Sequence, residues 1–250
     1  QPRMSDVMPS KNYDIVIVGA GMVGSLLAAL LRESGLSILM LERAPVTAPA
    51  RDAAFEPRVS ALTRASENLL RHVGAWSAVE ACRSCAYTGM TVWDAVGSGR
   101  VVFSAAGIGE SHLGVLVENR LLQSALTDVA VQAANVTFEC PAQLTHLERL
   151  PQGWQLTLAD GSCVQARLVV GADGAQSAVR GMIGIDTRNT DYHQRAIVTT
   201  VRTEKPHGFT AWQRFSPTGP LAFLPLLTAE GDDHFCSIVW SQDEAEAQRL

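Results

Sequence analysis

This 250-residue sequence has no dense block of lysine and arginine, and its formal charge is −5. The electrostatic footprint of a nucleic-acid or anionic-lipid binder is therefore missing. No apolar run approaches the roughly 20 residues that a helix needs to cross a bilayer. Residues Gln1 to Asn12 are polar and hold no apolar core of a secretory signal, while Gln1-Pro2-Arg3 ahead of Met4 reads as a cloning remnant. A soluble, cytoplasmic protein is expected. No internal repeat or low-complexity tract is present.

Cysteine is scarce and its number odd. Cys82-Arg83-Ser84-Cys85 is a CxxC, but no second pair at metal-ligand spacing follows it. Cys140, Cys163 and Cys236 sit within apolar or strand-like patterns. Reduced, structural cysteines without a metal are the expectation.

Hydrophobic residues make up 47% of the chain, enough to bury one large core or two modest ones. Tyr13 to Val18 is a short β-branched run, Met22 to Arg32 carries apolar residues at helical spacing, and Ser37 to Leu41 is a second apolar run. This is a βαβ unit with parallel strands. Ala44 to Pro57 reads as a loop, and Thr63 to His72 as an amphipathic helix with Leu69, Leu70 and Val73 inward, ending at Gly74. Met90 to Trp93 and Val101 to Phe103 form a hairpin. A long helix over Glu118 to Ala134 follows, then a β-meander over 136–140, 143–147, 154–158 and 163–170. Beyond Gly184, alternating strands at 193–202, 209–215, 221–226 and 234–240 form a mainly antiparallel layer, with a last helix near Asp243.

Gly19-Ala20-Gly21-Met22-Val23-Gly24 satisfies GxGxxG directly after a strand and at the start of a helix. The first glycine permits the tight turn, the second lets the backbone approach a pyrophosphate, and the third allows close helix packing. The phosphates then meet free N–H groups and the favourable end of the helix dipole. Glu42, at the tip of the second strand, is placed to accept a hydrogen bond from the ribose, with Arg43 beside it. These features leave NAD and FAD open. "RLVVGADGAQSAVR", Arg167 to Arg180, is a further strand running into a glycine turn and a short helix. One dinucleotide needs one such turn, so a second binds another part of a longer ligand or only bends the chain.

Asp173, Gly174, Ser177 and Arg180 resemble the DG motif of the single-component flavoprotein hydroxylases. With "RVSALTRASENLLRHVGAW", "HLGVLVENRLLQSAL" and "GPLAFLPL", the chain resembles the ubiquinone-biosynthesis hydroxylases among them, most of all those acting on a 2-polyprenylphenol. The resemblance runs from Tyr13 to the C-terminus. It implies FAD as cofactor, NAD(P)H as co-substrate, and dioxygen and a polyprenylphenol as reactants. It implies a Rossmann-like α/β FAD-binding domain with β-meander, residues 1–74 and 105–184, and part of a mainly antiparallel substrate domain, residues 75–104 and 185–250. Arg58 and Arg120 match family positions beside the flavin, where a forked, permanent cation suits ring or phosphate oxygens; in isolation each reads as a surface arginine. No catalytic side chain is assigned, and His193 and His207 are expected to be surface or packing residues. No transmembrane segment is expected; peripheral membrane, biosynthetic-complex and homo-oligomeric association stay open. The rival readings are a non-catalytic dinucleotide-binding module and a flavin dehydrogenase or reductase without oxygen insertion.

The resemblance also implies a later Gly-Asp motif on the flavin ribityl chain. Gly231-Asp232 lies instead in a polar turn without helix-opening glycines, so the chain reads as an N-terminal portion. We expect the purified 250-residue chain to hold substoichiometric FAD and not to turn over. Its flavin absorbance per polypeptide checks this, and a full complement of FAD overturns it.

Overall fold

The structure is a computed structural model that describes residues 11–250; the polar stretch read for a signal and a cloning remnant lies, up to Ser10, outside them. β1 (Lys11–Val18) ends in four buried aliphatic residues, and α1 (Met22–Leu30) leads from it to β2 (Ile38–Leu41), all four of whose residues are buried. β3 (Val59–Thr63) runs straight into α2 (Arg64–Val73). The Thr63 hydroxyl caps that helix by accepting the Ser66 N–H at 3.2 Å, and Gly74 closes it at φ 86°. Next come α3 (Trp76–Cys82), β4 (Cys85–Tyr87), the hairpin β5 (Gly89–Asp94) and β6 (Arg100–Ser104), β7 (Gly114–Glu118) and α4 (Asn119–Val131). β8 (Val136–Glu139), β9 (Leu144–Leu150), β10 (Gly153–Leu158), β11 (Cys163–Gly171) and α5 (Ala178–Met182) follow. β12 (Gln194–Arg202), β13 (Thr210–Ser216), β14 (Gly219–Leu226), β15 (Phe235–Asp243) and α6 (Glu244–Arg249) complete the chain. Among the described residues no helix is long and apolar enough to cross a membrane.

The elements gather into two compact units. The first combines the chain up to Thr47 with Leu126–Arg188. Its six-stranded sheet has the order β8-β2-β1-β11-β10-β9, parallel from β8 to β11 and antiparallel from β11 to β9. The strand at Val136, expected in the meander, lies on the opposite edge, parallel to β2. β2 is buried throughout and needs a neighbour on both sides, and β8 supplies one through Ile38↔Val136 to Leu41↔Glu139. Val16, Val18, Leu39, Leu41, Leu144, Leu156 and Val164 form a continuous core in this unit.

The second unit combines Ala48–Ala125 with Asn189–Leu250. Residues 48–74 and 105–125, grouped in the sequence reading with the cofactor-binding domain, cluster here because β7 pairs with both β3 and β4. This three-stranded sheet and α3 were not expected: five or fewer residues per strand, each abutting a helix or turn, leave too short a period to read. The larger sheet has the order β12-β15-β14-β13-β5-β6 and is mainly antiparallel, with β5 running parallel to β13. In α2, Leu70 and Val73 are buried as expected, but Leu69 is 43% exposed. Glu67 faces inward instead, bonded to Arg64, Arg71 and His112. Burial alone would raise the Glu67 pKa; hydrogen bonds from His112, Arg71 and Arg64 outweigh it and hold the carboxyl below its ordinary value.

The first unit depends on its sheet core. Leu156 is fully buried at the centre of β10. We expect Leu156→Ala to lower stability by ~2–5 kcal/mol through lost transfer energy and the cavity left behind, as measured by urea denaturation.

Candidate functional site

In the first unit, β1 and β11 are parallel neighbours in register to Val18↔Gly171, so the turns that follow them leave from adjacent strand ends. Gly19 N–H donates to the Leu41 carbonyl and Ala172 N–H to the Val18 carbonyl, both at 2.8 Å. Gly19 has φ 103°, and a Cβ there would stand 2.5 Å from the Ala172 carbonyl oxygen. At Gly24 it would stand 2.0 Å from the Gly19 carbonyl oxygen. Both positions require glycine because backbone packs on backbone. Gly21 differs: a Cβ there meets nothing within 4 Å. It is the N-cap of α1, with no side-chain cap and no acidic residue in the first turn, so the positive end of this nine-residue helix opens onto free space. This is the room that a pyrophosphate requires.

Glu42 closes the other side of the loop. Its Oε2 accepts the Ala20 N–H at 2.8 Å and its Oε1 the Ala44 N–H at 3.1 Å. The carboxylate is thereby fixed at the carboxyl end of β2, where an adenosine ribose belongs in this fold. Arg43 is exposed and borders a cavity of about 380 Å³ with Glu139 and Asp160.

The Asp173 turn is self-supporting. Asp173 accepts the Ser177 hydroxyl at 2.6 Å and the N–H groups of Ala178 and Val179 at 2.6 and 3.2 Å. Ser177 Oγ in turn accepts the Arg180 N–H at 3.0 Å, and Arg180 Nη2 donates to the Ala175 carbonyl at 2.8 Å. Gly174 takes φ 86° in open space. Burial would raise the Asp173 pKa, but the bonds from Ser177, Val179 and Ala178 dominate and hold it below the ordinary carboxylate value. These side chains therefore shape the turn whose Ala172 touches the Gly19 loop.

Arg58 and Arg120 belong to the second unit. Asn119 N–H donates to the Arg58 carbonyl at 3.0 Å, which brings the two arginines to the same end of the β3–β7 pair, and Arg120 is ion-paired with Glu56. Both arginines are exposed. Beside them stands a buried pair that the sequence did not announce. Arg83 and Glu118, each with a 3% exposed side chain, form a two-pronged ion pair at 2.6 and 2.9 Å. Arg83 also donates to the carbonyls of Arg51, Ala53 and Ala54, and lies 4.5 Å from the centre of the Phe55 ring. Glu118 accepts the Glu56 N–H at 2.8 Å. The pair thus pins residues 51–56, and removing either partner alone would strand a buried charge. The only sequence signal was the arginine inside the CxxC.

The pinned loop forms one wall of a cavity of about 510 Å³ with Thr199, Thr200, Thr228, Glu230 and Phe235. Phe55 and Phe235 meet at 5.5 Å between ring centres. A groove of about 580 Å³ around Tyr13, Trp154 and Arg167 lies toward the amino ends of β1 and β11, the wrong end for a ligand of a doubly wound sheet. The CxxC thiols are free, and burial pushes Cys85 up to about 12, which suppresses the thiolate that redox exchange needs. His207 bonds through one ring nitrogen to the Leu226 carbonyl at 2.9 Å and through the other accepts the Phe209 N–H at 3.0 Å, a packing role; His193 is exposed.

Because the folded pKa of Asp173 is depressed, its capping contribution is present above the unfolded value of about 3.9 and is lost as pH falls through the folded value. We expect Asp173→Asn to cost about 1 kcal/mol at pH 7, because the amide nitrogen cannot accept. Denaturation at stepped pH should show the gap between variant and wild type closing below about pH 4.

The family model described as FAD binding domain matches residues 12–249. The 3-demethoxyubiquinol 3-hydroxylase of Escherichia coli is 37% identical over 243 residues, covering 97% of this chain and 61% of the relative. The mitochondrial ubiquinone biosynthesis monooxygenase COQ6 of Rattus norvegicus is 34% identical over 255 residues, covering 95% and 52%. Ubiquinone hydroxylase UbiL of Rhodospirillum rubrum is 37% identical, covering 93% and 52%. The chain thus spans about half to three-fifths of the length of these relatives. Among solved structures, PqsL of Pseudomonas aeruginosa shares the fold at a TM-score of 0.79 and 21% identity, covering 96% of this chain and 63% of the other. The chain belongs to the FAD-binding domain family, and over nearly all of its own length it is similar to ubiquinone-biosynthesis hydroxylases.

Proposed function

We propose that this protein serves an FAD-dependent, NAD(P)H-using hydroxylation of the aromatic ring of a polyprenylphenol in ubiquinone biosynthesis. The observation that carries the reading is the pair of glycine turns in backbone contact, with open space at Gly21 over the N-terminus of α1. Bound FAD supplies the transfer of electrons from NAD(P)H to dioxygen and of one oxygen atom to the ring. The N–H groups at the start of α1 bind the pyrophosphate, and Glu42, already fixed by Ala20, accepts the ribose hydroxyl. Asp173, Ser177 and Arg180 keep the second turn in the shape that abuts the first. Arg58 and Arg120 offer their guanidinium groups to flavin ring or phosphate oxygens. On this reading residues 1–74 and 105–184 serve the cofactor, and 75–104 and 185–250 serve the substrate.

The cavity between Phe55 and Phe235 receives the aromatic ring. Its volume of about 510 Å³ falls in the range of small-ligand sites, and its walls combine two phenyl rings with a few polar groups. The Arg83–Glu118 pair orients that wall and keeps its loop closed against water.

The test uses the natural polypeptide loaded with FAD, under labelled dioxygen, with NADH or NADPH and a polyprenylphenol. We expect the phenol to stimulate NAD(P)H oxidation and to leave with one labelled oxygen atom. NAD(P)H oxidation that the phenol does not stimulate, with no label in the ring, overturns the hydroxylase reading in favour of a reductase.

A further inference from the structure

Exposed apolar side chains scattered singly are ordinary, but a run of them along an open sheet edge is not. β6 is the last strand of the six-stranded sheet in the second unit, and all five of its residues are exposed, with Val101 at 53%, Val102 at 61% and Phe103 at 50%. Sheet edges are ordinarily guarded by charge, proline or a bulge. The opposite edge of this sheet, β12, carries Arg195 and Arg202. β6 has a single charge, Arg100, at its first position, contains no proline, and pairs with β5 without a register shift.

The hairpin bonds fix which backbone groups of β6 are free. The Gly99 carbonyl accepts the Asp94 N–H at 3.0 Å, and the Ala105 N–H donates to the Thr88 carbonyl at 2.9 Å. Antiparallel ladders alternate, so Val101 and Phe103 direct their backbone groups to β5, while Arg100, Val102 and Ser104 turn theirs to the open edge. An added antiparallel strand must meet these last residues. A second copy of β6 does so over its full length in one register, the one that sets Val102 opposite its own counterpart. Arg100 then faces Ser104 of the second copy, so no like charges are opposed, and Val101 meets Phe103 of the second copy at the closely spaced, non-hydrogen-bonded positions. A slip along the strand shortens the overlap, and at its limit toward the hairpin turn it sets Arg100 against its own counterpart. We propose that β6 is a two-fold interface through which two copies of this chain join their sheets edge to edge. The symmetry closes the contact: each copy's edge is covered by the other, and a strand that would invite open-ended aggregation gives a finite dimer.

Sedimentation velocity on the natural polypeptide over a dilution series tests this. We expect a reversible dimer. Val102→Lys, at an exposed position, opposes two ammonium groups across the two-fold axis and should weaken dimerisation about tenfold or more while the far-UV circular dichroism stays that of the wild type. Cysteine cross-linking reads the register. Under mild oxidation Val102→Cys should give a disulfide-linked dimer above the wild-type background, because the facing Cα atoms stand about 5.5 Å apart. Val101→Cys, which faces Phe103 and not its own counterpart, should not. A wild type that stays monomeric throughout the series overturns the proposal, and if it then sediments with phosphatidylcholine vesicles the strand belongs to a lipid surface instead. A dimer that Val102→Lys leaves intact, or in which Val102→Cys fails to cross-link, overturns it as well.

Discussion

The contact on which the proposed cofactor site depends is between two stretches of bare backbone. Where β1 and β11 end side by side, the Gly19 turn comes so close to the Ala172 carbonyl that no side chain fits between them. The same loop leaves no room at Gly24 against the Gly19 carbonyl, which presses α1 onto the sheet. The energy involved is not that of a strong bond. It is an exclusion, in which any residue other than glycine would force the strand ends apart and move the helix terminus off the position where phosphate charge is favoured. Glu42 and the Asp173 turn then hold the two loops from either side, each through hydrogen bonds to backbone N–H groups.

The second unit solves a different problem with charge. Arg83 and Glu118 lie where neither could stand alone, and their attraction matters less than the four backbone groups they satisfy between them. The result is an ordered stretch from Arg51 to Glu56 that has no secondary structure of its own. A loop rich in alanine and proline acquires a fixed shape from two residues about thirty and about sixty positions further along the chain. Its aromatic residue, Phe55, is held by the same arginine that holds its carbonyls.

The glycine loop, the acid after β2 and the strand–turn–helix around Asp173 were legible because each is a local pattern with a single backbone solution. The long strands beyond Gly184 were legible from alternation. Three things were not. β3, β4 and β7 are too short to show a period, and only their mutual pairing makes them strands. In α2 the apolar spacing pointed Leu69 inward, but a four-membered ion cluster drew Glu67 in its place, a tertiary override of a helical pattern. The Arg83–Glu118 pair follows from contacts across the fold, and single residues of these types carry no mark in a sequence.

The pairing of β1 with β11 has a further consequence for synthesis on the ribosome. Lys11 is made long before its partner: the strand that covers its open side begins pairing only with Val164, after the whole of Ala48–Ala125, which clusters in the other unit, has emerged. Until then β1 and β2 present an unprotected apolar edge of the kind that invites pairing with a foreign chain. Conditions that slow elongation over this interval would lengthen the exposure, and a nascent-chain chaperone would have most to shield there.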